Sequence, residues 1–170
     1  MAIRKVLFDD DPILRKKSKE VVSFDQNLKL LFEDMLETLK KEDGAGISAV
    51  QVGILKRAFI VLGNKDELVF VVNPKIISSS GSCRTKIEGC LSVPDRCGLV
   101  ERPSLVVAKF QDLDGKEVER TFEGFYAKAF CHEYDHLDGI LYTDKAYKMF
   151  ESYDEYYKYR NQQNKNTDNK

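Results

Sequence analysis

The clearest periodic pattern in the chain lies between residues 25 and 41, where apolar positions recur at steps of three and four. They are Leu28, Leu31, Phe32, Met35, Leu36 and Leu39. That spacing predicts an amphipathic helix with one buried stripe, and the Asp-Gly pair at 43–44 predicts its end. Residues 11–20 contain an early proline and predict a short turn of helix.

The middle of the chain has a different pattern, with short runs rich in Val, Ile, Leu and Phe between turn residues. These runs predict strands at 58–62, 68–72, 105–110 and 117–122. The DLDG segment at 112–115 predicts a hairpin turn between the last two strands.

Helical spacing returns over residues 123–138, and Gly139 follows where a helix end commonly has glycine. A further helix is predicted over about 144–159, and the polar residues 161–170 predict an unstructured tail. We find neither a repeat nor a linker. The sequence therefore predicts one α+β domain over residues 1–160.

Composition and charge narrow the possible functions. The net charge is −1, whereas a general DNA, RNA or anionic-membrane binder would need a clustered basic excess. No apolar run approaches the roughly 18 residues that span a bilayer, and the acidic start is unlike a signal or transit peptide. We therefore expect a cytoplasmic protein whose four cysteines are reduced.

The segment HEYDH at residues 132–136 carries the strongest chemical signal. Residues four apart share one face of a helix, so His132 and His136 can bind the same metal ion. Glu133 can direct its carboxylate toward a water molecule there without being a ligand itself. Because the motif also occurs by chance, a third ligand is the next requirement.

Catalytic sites commonly use three protein ligands, and the only two histidines are already assigned. A metzincin would have a histidine where Tyr142 stands, so that class is excluded. A thermolysin-like protease would use Glu151 or Glu155, but the short, polar remainder of the chain leaves little material for its second lobe.

Cys90 is the strongest candidate for the third ligand. It lies in the segment EGCLSVP at 88–94, where Gly and Pro predict a fixed, non-helical backbone. A thiolate there completes a Cys-His-His set suited to zinc or iron. An alternative is a structural metal site with four protein ligands, in which Cys97 or Cys131 would be the fourth. On a helix, however, Cys131 points about 100° away from the face of His132.

Three segments, in order, resemble the motifs of the peptide deformylase family. GAGISAVQ at 44–51 resembles the glycine-rich motif, EGCLS at 88–92 the second motif, and HEYDHLDG at 132–139 the third. The resemblance covers about residues 3–144. It implies mixed or antiparallel β-sheets around the central HExxH helix, and an enzyme that removes the formyl group from the N-terminal methionine of new polypeptides and releases formate.

The resemblance also implies roles for individual residues. Cys90, His132 and His136 bind the metal, and Glu133 transfers the proton. The Gln51 side chain and the Leu91 backbone N–H stabilise the oxyanion. The residues expected to bind the extended substrate are Ala45, Gly46, Ile47, Gly89, Phe125 and Ala129. An ion pair between Glu88 and Arg102 is expected to support the site.

Two positions and one segment depart from the family pattern. Ser48 stands where the family generally has Ala, and Ala45 replaces a usually larger apolar residue. The segment 95–98 also differs, so the resemblance does not assign a substrate-contacting arginine in this segment.

The implied partners follow from the same resemblance. The metal is one divalent ion, with Fe2+ ranked first and Ni2+, Co2+ or Zn2+ as alternatives. The substrates are N-formyl-methionyl nascent peptides, with transient contact to the ribosome and no DNA or membrane partner. We expect the source to be a bacterium or an organelle of bacterial descent.

Overall fold

The protein is described by a computed structural model that covers residues 2–80 and 83–167. The helices of this part of the chain are α1 (Gln26–Glu42), α2 (Phe125–His136), α3 (Tyr142–Lys145) and α4 (Tyr153–Thr167). The strands are β1 (Gly46–Ser48), β2 (Ala58–Leu62), β3 (Leu68–Ser79), β4 (Cys83–Cys90), β5 (Val93–Pro103), β6 (Leu105–Gln111), β7 (Glu117–Glu123) and β8 (Lys148–Phe150). Short 3-10 turns lie at Pro12–Arg15 and Ala49–Val52.

The strands form two antiparallel sheets. The larger sheet has the order β1-β2-β3-β6-β7, and the smaller has the order β4-β5-β8. The turn between β6 and β7 is the predicted one, since Gly115 donates its N–H to the Asp112 carbonyl with the left-handed backbone that glycine favours. These sheets and helices confirm the expected α+β class.

Helix α1 has the predicted amphipathic form and covers one side of the larger sheet. Asp25 caps its first turn by accepting hydrogen bonds from the backbone N–H groups of Asn27 and Leu28. The helix ends at Asp43, which has a left-handed backbone. Its apolar stripe is buried against β1 and β2, except that Leu36 is only partly covered.

Helix α2 packs against strands of both sheets. The ring of Phe130 lies 5.2 Å from that of Phe59 and 4.6 Å from that of Phe122. These apolar contacts are made by the face of α2 that lies opposite the two histidines, and they hold the helix in place. The helix begins at Phe125 rather than at residue 123, because Glu123 is the last residue of β7 and Gly124 turns the chain.

The sequence pattern missed β4 and β5, which form a long hairpin. These strands mix charged residues, Gly and Pro, so neither run has the apolar composition that marked the other strands. Strand β3 is also longer than predicted and continues to Ser79 through two irregularities in its pairing with β6.

The prediction of one continuous helix over 144–159 is wrong for the middle of that segment. Residues Lys148–Phe150 form β8, which pairs with β5, and Phe150 is buried beside Cys97 and Leu99. Tertiary pairing has overridden helical spacing here. The chain then returns to a helix in α4.

The expected tail also differs from the structure as far as residue 167. Helix α4 continues to Thr167, because residues 161–167 contain no glycine or proline to stop it. Residues 168–170 lie outside the described part of the chain. The limits of the catalytic domain at 1–160 stay a prediction. Among the described residues, no helix combines the length and the apolar character that crossing a membrane requires.

Candidate metal centre and active site

A cavity of about 280 Å³ opens where β1, the β4–β5 hairpin, α2 and the start of α4 meet. Most of the predicted site residues line it, namely Ala45, Gly46, Gln51, Gly89, Cys90, Leu91, Phe125, Ala129, His132 and Glu133. Two predicted residues do not. His136 lies just behind the wall, and Ile47 is buried in the core beneath α1, because alternate residues of a strand face opposite sides.

Three potential metal ligands converge at the base of this cavity. The ligand atoms of Cys90, His132 and His136 all lie within 4.8 Å of one another, and Cys90 Sγ is 3.3 Å from His136 Nε2. Two histidines from one helix and a cysteine from the β4–β5 hairpin thus meet at one point. Among the described residues, neither Cys97 nor Cys131 joins this group.

The second nitrogen of His132 is fixed by a buried carboxylate. His132 Nδ1 lies 2.9 Å from Glu88 Oε2, which leaves Nε2 for the ligand cluster. Burial alone would lower the pKa of His132, but its contacts with Cys90 and Glu88 raise it well above the ordinary value. The ring of His136 is held by packing, since its Nδ1 has no hydrogen-bond partner among the described residues.

Glu88 belongs to a larger buried ion-pair network. Arg102 donates to both oxygens of Glu88, at 2.8 and 3.1 Å, which confirms the expected ion pair. Arg102 also donates to Asp135 at 2.6 Å, and Asp135 in turn accepts from Lys145. Burial opposes ionisation of Glu88, but the bonds from His132 and Arg102 lower its pKa to about 2. The contacts of Asp135 with Arg102 and Lys145 were not predicted, because Arg102 lies far from Asp135 along the chain.

Glu133 is buried beside the ligand cluster and is not part of it. Its Oε2 accepts a hydrogen bond of 2.7 Å from the Ser48 hydroxyl. A Cβ on Gly46 would lie 2.7 Å from Oε1, so glycine is required for this close approach. Burial raises the pKa of Glu133, against the opposing effects of His132 and Ser48. A carboxyl group with a raised pKa is suited to accept and return a proton.

Gln51 is fixed from both ends of its amide. Its Oε1 accepts the backbone N–H of Ser48 at 2.9 Å, which turns the Nε2 group toward the cavity. Nε2 then donates to Ser92 Oγ at 3.0 Å and lies 3.5 Å from Cys90 Sγ. A side-chain N–H donor is thereby already oriented next to Cys90, His132 and His136 before a substrate binds.

Leu91 is the first residue of the turn that joins β4 to β5. It follows Cys90 directly and borders the cavity, so its backbone lies beside the ligand cluster.

The outer part of the cavity is lined by larger and more exposed side chains. The Phe125 ring is 46% exposed, and the Lys128 ammonium group lies 4.8 Å from its centre. The same ammonium group donates to the Ile87 carbonyl at 3.0 Å. Arg96 and Tyr153 also line this part, and neither was expected from the sequence.

A cysteine and two histidines that converge beside a buried carboxylate and a fixed amide donor define the class of metal-dependent hydrolases. The arrangement differs from a closed structural site because the described residues supply three ligands and a cavity leads to them.

Comparisons with known proteins agree with that class. The family model for polypeptide deformylase matches residues 3–151. A peptide deformylase of Finegoldia magna is 46% identical, over 89% of this chain and 94% of its own. One from Caldicellulosiruptor bescii is 49% identical, over 88% of this chain and 89% of its own.

Solved structures give the same result. The crystal structure of peptide deformylase from Thermotoga maritima has a TM-score of 0.83 at 39% identity, and the match covers 87% of this chain and all of the other. A peptide deformylase from Legionella pneumophila has a TM-score of 0.81 at 41% identity, with 85% and 86% covered.

The chain belongs to the polypeptide deformylase family. It is therefore an enzyme of the peptide deformylase type, which removes the N-formyl group from new polypeptides. The family, fold class and activity implied by the three motifs are confirmed.

Proposed function

We propose that Cys90, His132 and His136 bind one divalent metal ion, with which the enzyme hydrolyses the formyl group of N-formyl-methionyl peptides. The observation that carries this assignment is the convergence of their ligand atoms within 4.8 Å at the base of the cavity. One thiolate and two imidazoles suit zinc or ferrous iron. We rank Fe2+ first, with Ni2+, Co2+ and Zn2+ as alternatives. When bound, the ion supplies Lewis-acid chemistry, lowering the pKa of water and polarising a carbonyl oxygen.

Glu133 handles the proton in this proposal. Its carboxylate accepts a proton from the water that attacks the formyl carbon and delivers it to the departing amine, so that formate and a free N-terminus are produced. The Ser48 hydroxyl and the close packing of Gly46 fix the orientation of the carboxylate. Burial raises the pKa of this carboxyl group, which suits it to accept and return a proton.

Gln51 and Leu91 stabilise the oxyanion that forms during the attack. Donors are most effective when they are already oriented before charge develops. The Gln51 amide meets that requirement because its carbonyl end is held by Ser48. The backbone N–H of Leu91 is the second donor, next to Cys90.

The peptide binds as an extended strand along the cavity. Main-chain pairing with Gly46 and Gly89 reads little sequence, as expected of an enzyme that acts on many different chains. The methionine side chain packs against Ala129 and Phe125, which line the cavity together with Ala45. The core position of Ile47 argues against a direct contact with substrate.

The place of action follows from the substrate. New polypeptides emerge from ribosomes in the cytoplasm, and the relatives named above are bacterial proteins. We therefore place the enzyme in the cytoplasm of a bacterium, or in an organelle of bacterial descent. Its contact with the ribosome is transient, and it has no DNA partner.

An assay of formate release from formyl-Met-Ala-Ser tests this function. Protein purified without oxygen and loaded with Fe2+ or Ni2+ should release one formate per peptide. A metal-loaded, folded protein that leaves the formyl peptide intact would contradict the proposed function.

A further inference from the structure

Tyr153 brings helix α4 into contact with the proposed substrate site. It is the first residue of α4 and follows β8, which pairs with β5. It also lies just beyond residue 151, the last residue that the family model matches. A wall residue of the cavity is therefore supplied by a segment outside the matched part of the chain.

The position of Tyr153 is fixed by the packing of the next two turns of its helix. The Phe150 ring lies 5.5 Å from the Tyr156 ring and 5.3 Å from the Tyr159 ring, and all three cover Cys97. These contacts anchor the first turns of α4 on the smaller sheet. The Tyr153 ring is thereby held over the cavity rather than left free in solvent.

The Tyr153 hydroxyl occupies the space that a side chain at residue 89 would fill. A Cβ built on Gly89 would collide with this hydroxyl, so the phenol lies directly against the Gly89 backbone. Gly89 precedes Cys90, and it is one of the residues with which the extended peptide is proposed to pair.

The hydroxyl has hydrogen-bonding capacity to spare. Within residues 2–80 and 83–167, no protein group is hydrogen-bonded to it, and the residue is 43% exposed. A phenol can donate to a carbonyl or accept from an N–H group, while its ring provides apolar contact. It can therefore hydrogen-bond a peptide main chain that passes along Gly89.

We infer that Tyr153 is a substrate-binding residue whose hydroxyl bonds the peptide main chain beyond the formyl-methionyl residue. This inference rests on the proposed function, because it assumes that the peptide runs along Gly89. It assigns to α4 a part in holding longer substrates, separate from the chemistry at the base of the cavity.

The test compares substrates of two lengths in Tyr153→Phe, which removes only the hydroxyl. The Michaelis constant for formyl-Met-Ala-Ser should rise about 3- to 10-fold, as expected for one lost hydrogen bond. The constant for formyl-Met alone and both turnover numbers should stay within about twofold, because the chemistry is untouched. Tyr157→Phe is the matched control, since Tyr157 is exposed on the same helix and does not line the cavity.

The outcomes are distinguishable. If Tyr153→Phe leaves the Michaelis constant for the tripeptide unchanged, or raises it equally for both substrates, Tyr153 does not bind the peptide beyond methionine. Melting temperature and metal content, measured on the same samples, identify a variant that has merely lost its structure. If Tyr153→Phe has lost its structure, the same two substrates are compared in Tyr153→Leu, which also lacks the hydroxyl. A metal-loaded wild-type protein that is inactive would overturn the proposed function, and the role of Tyr153 with it.

Discussion

The inner and outer parts of the cavity differ in how their side chains are held. At the base, Gln51, Glu88 and Glu133 are all less than 5% exposed, and each is fixed by at least one hydrogen bond. At the mouth, Phe125 and Tyr153 are nearly half exposed. The base consists of oriented polar groups, whereas large side chains with one free face form the mouth.

This difference separates chemistry from recognition. Catalytic groups must be oriented before the reaction, which requires burial and surrounding hydrogen bonds. Side chains that bind many different peptides need an exposed contact surface, and they do not need a rigidly fixed orientation. Substitutions at the base should therefore act on metal content and turnover, and substitutions at the mouth should act on substrate affinity.

The largest effect is expected for Cys90→Ala. Only His132 and His136 would remain as ligands, so bound metal should be lost or stripped by a mild chelator, and activity should fall to background. Metal content per chain and formate release measure this directly. Cys97→Ala and Cys131→Ala are the controls, because both cysteines lie outside the ligand cluster and should keep their metal. If Cys90→Ala retains metal and activity, the Cys-His-His site is wrong, and Glu151 or Glu155 becomes the next candidate ligand.

The second effect concerns Glu133→Gln, which keeps the shape of the side chain and removes its proton chemistry. Turnover should fall about 10²- to 10⁴-fold, as is typical for the loss of a general acid–base group. Metal content should stay at one ion per chain, because Glu133 is not a ligand in this account. Loss of the metal together with the activity would instead place Glu133 in the coordination sphere.

A smaller loss is expected for Gln51→Ala. Removal of one oxyanion donor lowers turnover by about 10²- to 10³-fold, which corresponds to roughly 2.7–4 kcal/mol. The turnover number should change more than the Michaelis constant. Steady-state kinetics on the formyl tripeptide measures both, and an unchanged turnover number would remove Gln51 from the mechanism.

The smallest effect is expected at the mouth, for Phe125→Ala. Loss of its apolar contact should raise the Michaelis constant by about tenfold, which corresponds to roughly 1.4 kcal/mol, with little change in turnover. Phe8→Ala is a matched control, because Phe8 is also 46% exposed and does not line the cavity. A large fall in turnover for Phe125→Ala would mean that recognition and chemistry are not separated as proposed.

The base of the cavity was also easier to predict from the sequence than its mouth. His132 and His136 are four residues apart on one helix, and Gln51 is fixed by the backbone of Ser48 three residues earlier. Short-range geometry of this kind is visible in a motif.

Contacts between distant segments leave no such pattern. Arg102 reaches Asp135 across the fold. Tyr153 reaches Gly89 only because β8 pairs with β5. The sequence pattern had placed β8 inside a helix, so the contact of α4 with the cavity stayed hidden.

The central claim is that one metal ion, held by Cys90, His132 and His136, is required for deformylation. Its most direct test follows formate release and metal content in a single sample prepared without oxygen. A chelator should abolish both in parallel, and one equivalent of Fe2+ or Ni2+ should restore the activity of the wild-type protein while leaving Cys90→Ala inactive. Full activity in a protein shown to be free of metal, or restored activity in Cys90→Ala, would contradict the account.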